Sequence, residues 1–358
     1  MNSLLLFLAF FPGIAAAHPT MIRHGYQSCT ACHSSPQGMG TLNDYGKSIA
    51  AAMSLLSAKD ITEASPHALQ HGLQARVIYV NGAGKSALFP MQLDYLGKYE
   101  KEKNRFDLSL GLQGRRSKAS APPEEKFQDR IVLRKISYSY RKKEGFEASV
   151  GRDSLPMGIA TEDHTAFLRA RLRRGINDYV SKVQLDRWEE THNYSLFAFA
   201  PSFEELERNR EYGVGSRYEH AVFGNSTLGV STLAGMSEAI RRGLFSAFTR
   251  FTPHENIAIL AEHALLRRWV RAASDTKGFD QQISFLKAAF FPLEYLELAL
   301  VGELLHVEAP FAEKKRQFGP SLQTRLHKNI SFLADARRIQ TPGRTREDRF
   351  AFQFYGHW

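Results

Sequence analysis

The sequence predicts an all-β fold: a roughly 16-stranded antiparallel transmembrane barrel preceded by a small, mainly α and loop N-terminal segment. Three observations predict it. From about Leu69 to the C-terminus, apolar residues recur at every second position. The connections between these runs sort into tight turns and long loops. The last run ends on alternating aromatics.

The alternation is clearest in four runs. Phe89, Met91, Leu93, Tyr95 and Tyr99 alternate with Asp94 and Lys98, and Phe106, Leu108, Leu110 and Leu112 with Asp107, Ser109 and Gln113. Leu296, Leu298, Leu300 and Leu304 alternate with Glu297 and Glu303, and Ile330, Phe332, Ala334 and Ala336 with Ser331, Asp335 and Arg337. Side chains on a strand point to opposite faces in turn, so each run has one apolar and one polar face. The runs are about 10–14 residues long, against the 5–6 usual in soluble strands and the 9–11 that a tilted strand needs to cross a bilayer.

Tight turns are expected at Lys101–Asn104, Lys142–Gly145, Glu189–His192, Phe223–Asn225, Pro253–Asn256, Pro292–Glu294 and Leu326–Asn329, on the periplasmic side. Long external loops are expected at Arg115–Lys126, Arg152–Ile176 and Pro201–Arg210. A soluble sandwich has no reason to keep such parity. At the end, Phe350, Phe352, Phe354, Gly356 and Trp358 share one face and Arg349, Gln353 and His357 the other, a strand suited to pair with the first and close the sheet. Ile283–Phe291 breaks the pattern, with Phe285 and Lys287 on one face, and Glu262 beside His263 allows two registers; a bulge or a one-residue shift accounts for either.

Composition agrees. With 43% hydrophobic and 23% charged residues the chain is neither a helical membrane protein nor disordered. The formal charge of +10 suggests an acidic partner: an anion-favouring pore, lipopolysaccharide or an acidic redox protein. Arg76, Lys182, Arg217, Arg325 and Arg337 fall on the polar faces of their runs, where they are expected to attract anions, hold haem propionates, grip an inserted plug or pair with carboxylates across a solvated lumen.

Residues 1–17 read as a signal peptide, with an apolar block Leu4–Phe11, a Pro12-Gly13 break and an Ala15-Ala16-Ala17 cleavage site before His18. The block is too short to span a bilayer as a helix. Export argues against nucleic acid as a partner. Residues 18–68 form the small segment, with a helix from about Asp44 to Ser57, and residues 69–358 the barrel.

Both cysteines of the chain lie in Cys29-Thr30-Ala31-Cys32-His33, the C-x-x-C-H spacing of c-type haem attachment. Two thiols three positions apart reach the two vinyl groups of one porphyrin edge, and the adjoining histidine is carried to the iron. A redox dithiol would want a βαβ setting, and a structural zinc site four ligands; neither pattern is present. The cofactor expected is one haem c, on Cys29 and Cys32 with His33 as axial ligand. Met39, Met53, His24 and His18 stay open as sixth ligands.

Cys29-x-Ala31-Cys32-His33 followed by Leu42-x-x-Tyr45-Gly46-Lys47, fused to such a barrel, resembles the outer-membrane monohaem cytochrome–porin fusions of iron-oxidising bacteria. The resemblance covers nearly the whole mature chain, though the barrel half shares pattern rather than motif. Where those proteins carry a Phe-Pro-Glu-like stretch, this chain has Ser34-Ser35-Pro36-Gln37-Gly38-Met39-Gly40. The resemblance implies electron transfer across the outer membrane, Fe(II) oxidation included, rather than bond-making enzymology. The haem segment would plug the periplasmic mouth. Implied partners are soluble periplasmic cytochromes, an extracellular donor or acceptor, outer-membrane lipid and the barrel assembly machinery. The alternatives are an anion-selective or general porin with a structural haem plug, and a peroxidase-like or gas-reactive haem.

Overall fold

The structure is a computed structural model that describes residues 19–26, 32, 43–55, 69–82, 84–113, 130–143, 145–159, 166–172, 178–201, 210–238, 240–271, 276–308, 310, 312–327 and 329–357. The predicted signal peptide lies outside the described residues.

Sixteen strands are present among the described residues: β1 Leu69–Gly82, β2 Lys85–Lys101, β3 Asn104–Gln113, β4 Ile131–Lys143, β5 Phe146–Asp153, β6 Val180–Trp188, β7 His192–Ala200 and β8 Tyr212–Ala221. They continue with β9 Thr227–Met236, β10 Ile240–His254, β11 Ile257–Arg271, β12 Thr276–Leu293, β13 Leu296–Val307, β14 Glu313–His327, β15 Ile330–Gln340 and β16 Glu347–His357. Each pairs antiparallel with its sequence neighbours, and β16 pairs with β1 to close the barrel. The closing register runs from Gln74↔His357 to Gly82↔Arg349. On the outer face of this seam the Phe352 ring lies between Tyr79 and Phe332, at 6.1 and 6.3 Å. On the inner face Arg76 stacks on the Tyr355 ring at 4.2 Å, and the Gln74 amide donates to the Tyr355 hydroxyl.

All seven expected tight turns join strands at one end of the barrel. The opposite end carries the long connections between β3 and β4, β5 and β6, and β7 and β8, together with shorter ones. These are the short-turn end and the long-loop end below.

The expected faces are present. Leu298, Leu300 and Leu304 are exposed on the outer face while Glu297 and Glu303 are buried inside. Phe350, Phe352 and Phe354 point outward and Gln353 inward. Neither a bulge nor a shift occurs at the two ambiguous places. Phe285 and Lys287 both face inward in an unbroken register, Lys287 pairing with Glu297 at 2.6 Å. Glu262 faces inward, and His263 faces outward within 2.8 Å of Ser284 Oγ.

Ahead of the barrel come a 3₁₀ turn, Pro19–His24, and helix α1, Asp44–Ala52. The helix stops short of the expected Ser57. Met53 N–H still donates to Ile49, but Leu55 N–H is taken by the Arg325 carbonyl of β14, so a tertiary hydrogen bond replaces the next helical one.

The outward Leu300 is 66% exposed, which lipid makes favourable and water does not. Leu300→Arg is expected to destabilise the barrel in bilayers by about 2–4 kcal/mol, read from denaturant unfolding in vesicles, with Leu300→Phe near neutral.

Candidate functional site

Two places inside the barrel carry structure beyond the wall. The first is the connection between β5 and β6, which folds inward. Its described residues include a short helix, α2, Phe167–Arg171. Leu155, Met157, Ile159, Leu168 and Leu172 are buried there against inward side chains of β9–β13, among them Leu233, Leu244, Phe248, Leu260 and Ile283. A segment entering the barrel must satisfy its own backbone groups. Gly158 N–H donates to Ser231 Oγ at 2.9 Å, Ile159 N–H to Glu262 Oε2 at 2.8 Å, and Phe167 N–H to Glu303 Oε2 at 2.6 Å. Arg171 pairs with Glu313 at 2.6 Å. Gly158 has φ of +54°, and a Cβ there would run into the Glu262 carboxylate.

The rest of the inner wall is ionic. Arg134 meets Asp94 at 2.8 Å, Arg105 bridges Asp107 and Glu147 at 2.9 and 2.6 Å, and Lys135 and Lys182 share Asp153 at 3.3 and 3.6 Å. Arg217 and Arg250 converge on Glu219 at 2.6 and 2.5 Å, and Arg337 pairs with Asp335. Of the five basic residues expected on polar faces, Lys182, Arg217 and Arg337 thus sit in ion pairs with wall carboxylates, while Arg76 lies on Tyr355.

The second place is the short-turn end, where the 3₁₀ turn docks. Ile22 is fully buried and Arg23 nearly so. Arg23 donates to the Glu255 carbonyl at 3.1 Å, pairs with Glu294 and lies 4.3 Å over the Phe291 ring, while Asn225 Nδ2 donates to the Arg23 carbonyl at 3.0 Å. One arginine therefore ties the segment to three of the predicted turns. His24 Nε2 lies 3.2 Å from Glu294 Oε2. Burial and the Arg23 charge lower the His24 pKa against the pull of Glu294. Burial alone would raise that of Glu294, but the Arg23 hydrogen bond and charge bring it below the usual carboxylate value.

Helix α1 is fastened to Cys32. Asn43 caps it, its Oδ1 accepting from Gly46 N–H at 2.8 Å, and Asn43 N–H donates to the Cys32 carbonyl at 2.9 Å. A Cβ on Gly46 would overlap that same carbonyl, so only glycine permits the approach. Tyr26 and Tyr45 share a 2.5 Å hydroxyl contact beside it. The hydrogen bond to Tyr45, then burial and the nearby Cys32, push Tyr26 up to about 12.

Of the residues singled out from sequence, Cys32, His24 and Met53 are thus described. Cys29, His33, Met39 and His18 lie outside the described residues. Sequence reasoning missed the inward fold of the β5–β6 connection; the inward apolar residues Leu233, Leu244, Phe248 and Ile283 were its available signal.

Two outcomes follow. Gly158→Ala is expected to loosen the inward segment at a cost of about 1 kcal/mol or more, seen as faster amide exchange at residues 154–159 with the barrel intact. For the docked turn, both shifted groups have folded pKa values below their ordinary ones of 6.5 for His24 and 4.5 for Glu294. Their contribution is complete above those values and is lost as pH falls. Amide exchange at residues 19–26, corrected for intrinsic rates, should therefore speed up on acidification below about pH 6.5, first through His24 and then through Glu294.

No protein-family model and no curated protein matches the chain in sequence. Solved structures do match in fold. A loop-deletion variant of OmpT, an outer-membrane protein of Vibrio cholerae, aligns with TM-score 0.62 at 8% identity over 81% of this chain and 99% of that one. An anion-selective porin from Comamonas acidovorans gives 0.60 at 11% over 81% and 99%, and Salmonella typhi OmpF gives 0.59 at 12% over 81% and 97%. The chain has the closed sixteen-strand fold of outer-membrane porins.

Proposed function

We propose that this porin-type barrel sits in the bacterial outer membrane, carries one c-type haem at its periplasmic mouth, and exchanges electrons between the two sides of that membrane. The observation that carries the reading is the clasp on Cys32. Within the Cys29-x-x-Cys32-His33 motif, the Cys32 carbonyl accepts from Asn43 N–H and is approached closely by Gly46, and residues 19–24 ahead of the motif dock on the short turns. Cys29 and Cys32 would hold the thioethers and His33 the iron. A haem bound there supplies one-electron redox chemistry, its potential set by axial ligation, burial and hydrogen bonding.

The chain's own part is positional. Ile22, Arg23 and Asn225 keep the segment on the short-turn end, which faces the periplasm in this reading. The Tyr26–Tyr45 pair holds α1 against the residues before the motif. The apolar band of such barrels is about 25 Å tall, so soluble periplasmic cytochromes and an external donor or acceptor, Fe(II) among them, must approach from the two mouths.

The inward-folded β5–β6 connection favours a second reading, in which the barrel is a pore for anions or general solutes and the haem segment is its cap. The likeness to an anion-selective porin supports it.

Protein reconstituted in liposomes loaded with a reduced dye, and given external oxidants or Fe(II), separates the two. The conduit reading expects haem absorbance changes and dye oxidation in wild type, and loss of both in Cys29→Ala. Conductance that survives Cys29→Ala, with no dye oxidation in wild type, would establish the pore instead. A denaturing gel of wild type without peroxidase staining would remove the haem.

A further inference from the structure

We propose that His192 and His220, with the Tyr218 hydroxyl and the Thr191 carbonyl, form a binding site for a divalent metal ion of the zinc class on the outer face of the barrel at its short-turn end. Strand pairing brings the two histidines together. They sit directly opposite one another on β7 and β8. At the neighbouring pair, Ala221 N–H donates to the Thr191 carbonyl at 2.8 Å. Hydrogen-bonded and non-hydrogen-bonded pairs alternate along an antiparallel ladder, so His192 and His220 are of the second kind, whose side chains come closest.

The spacing of the ligand atoms carries the inference. His192 Nδ1 lies 3.2 Å from His220 Nδ1. Two nitrogens held by one tetrahedral zinc, each at about 2.0–2.1 Å, stand about 3.3–3.4 Å apart. Two oxygens extend the set. Tyr218 Oη is 3.0 Å from His192 Nδ1, and the Thr191 carbonyl oxygen is 3.2 Å from His220 Nδ1. All three separations match edges of one coordination shell. Imidazole nitrogen suits zinc and its neighbours rather than calcium or magnesium, which prefer oxygen throughout. Among the described residues no three His, Cys, Asp or Glu side chains gather around one point, so the phenol and the carbonyl complete this set. Other described histidines are placed differently: His263 meets Ser284, and His254 accepts from Asn256 N–H within its own turn.

The surroundings fit an ion arriving from water. Towards the short-turn end the outward positions of β7 and β8 run from the exposed Val214 and Leu196, through Tyr194 and Tyr218 with rings 4.9 Å apart, to the histidine pair. The histidines therefore stand on the water side of the tyrosines, beyond the apolar belt. Arg187, the outward cation opposite Tyr194, is occupied by Glu189. The imidazole rings are 4.5 Å apart and 19° from parallel, and both are half-buried rather than locked in a core. A modest rotation of each ring turns both Nδ1 lone pairs on to one ion. Without metal, a proton on one Nδ1 bridges the rings; zinc needs both Nδ1 atoms bare, with the ring protons on Nε2. The site requires neither haem nor an open pore.

The test uses the full-length protein in uncharged detergent, with zinc chloride as probe and calcium chloride as control. Occupancy of each ring is read by acylation with diethyl pyrocarbonate, mapped by mass spectrometry, and zinc uptake by native mass spectrometry. A ring whose Nδ1 holds the ion keeps its proton on Nε2 and resists acylation. Zinc is expected to protect His192 and His220 together, and calcium to protect neither. H192Q should raise the zinc concentration that protects His220 at least about tenfold, H220Q should do the same for His192, and Y218F should have a smaller effect on both. Acylation of either ring at saturating zinc, equal protection by calcium, or no loss of one zinc equivalent in H192Q/H220Q would each overturn the proposal. Should the double variant fail to fold, the acylation map of the wild type decides alone.

Discussion

The whole architecture depends on one pairing, that of β16 with β1. Inside lipid no water is available to satisfy a backbone N–H or C=O, so a sheet can cross only if it has no open edge. The chain meets this by bringing its last strand back over nine consecutive register pairs, from Gln74↔His357 to Gly82↔Arg349. Aromatic contacts outside and the Arg76–Tyr355 stack inside hold the seam from both faces. Once the edge is closed, the two-residue period of each strand separates an outer apolar surface from an inner polar one.

Outside, that separation leaves an apolar belt interrupted by a few polar residues such as His263 and Ser284, and inside it holds only partly. Across β2–β6 the inner wall is a lattice of ion pairs, in which buried charges such as those of Arg134, Arg105 and Lys135 are tolerable because they meet opposite ones. Across β9–β13 the inward positions are largely apolar, and such a surface would be costly to leave wet. The β5–β6 connection covers it, so the wall and the loop explain one another. Glu262 and Glu303 accept backbone N–H groups of the loop, which gives these two buried carboxylates a task unlike that of Asp94 or Glu219.

The N-terminal segment follows a different logic, because it has too few residues for a core of its own. Its stability is borrowed from the barrel through Ile22, Arg23 and the Leu55–Arg325 hydrogen bond. The helix gives up its expected last turn for that bond. Gly46 makes no contribution as a helix former, yet it allows α1 to lie against the Cys32 carbonyl.

Much of this was legible in advance. Six of the seven tight turns carry their own chemistry in Gly, Pro or Asn, and alternation is a local property of each strand, so turns, faces and the closing strand could be read from residues near one another. Phe285 and Lys287 looked contradictory because alternation reports only which face a residue occupies. A lumen takes an apolar and a charged side chain side by side when one lies under a loop and the other meets Glu297. The amino-acid sequence by itself determined the barrel, its strand order and the Cys29-x-x-Cys32-His33 motif, since these rest on short-range period and spacing. Only the tertiary structure decided where the β5–β6 connection goes, which carboxylate each inward cation meets, and how Arg23 ties the first segment to three turns. These are contacts between residues far apart in the chain, set by closure of the barrel and invisible to any local pattern.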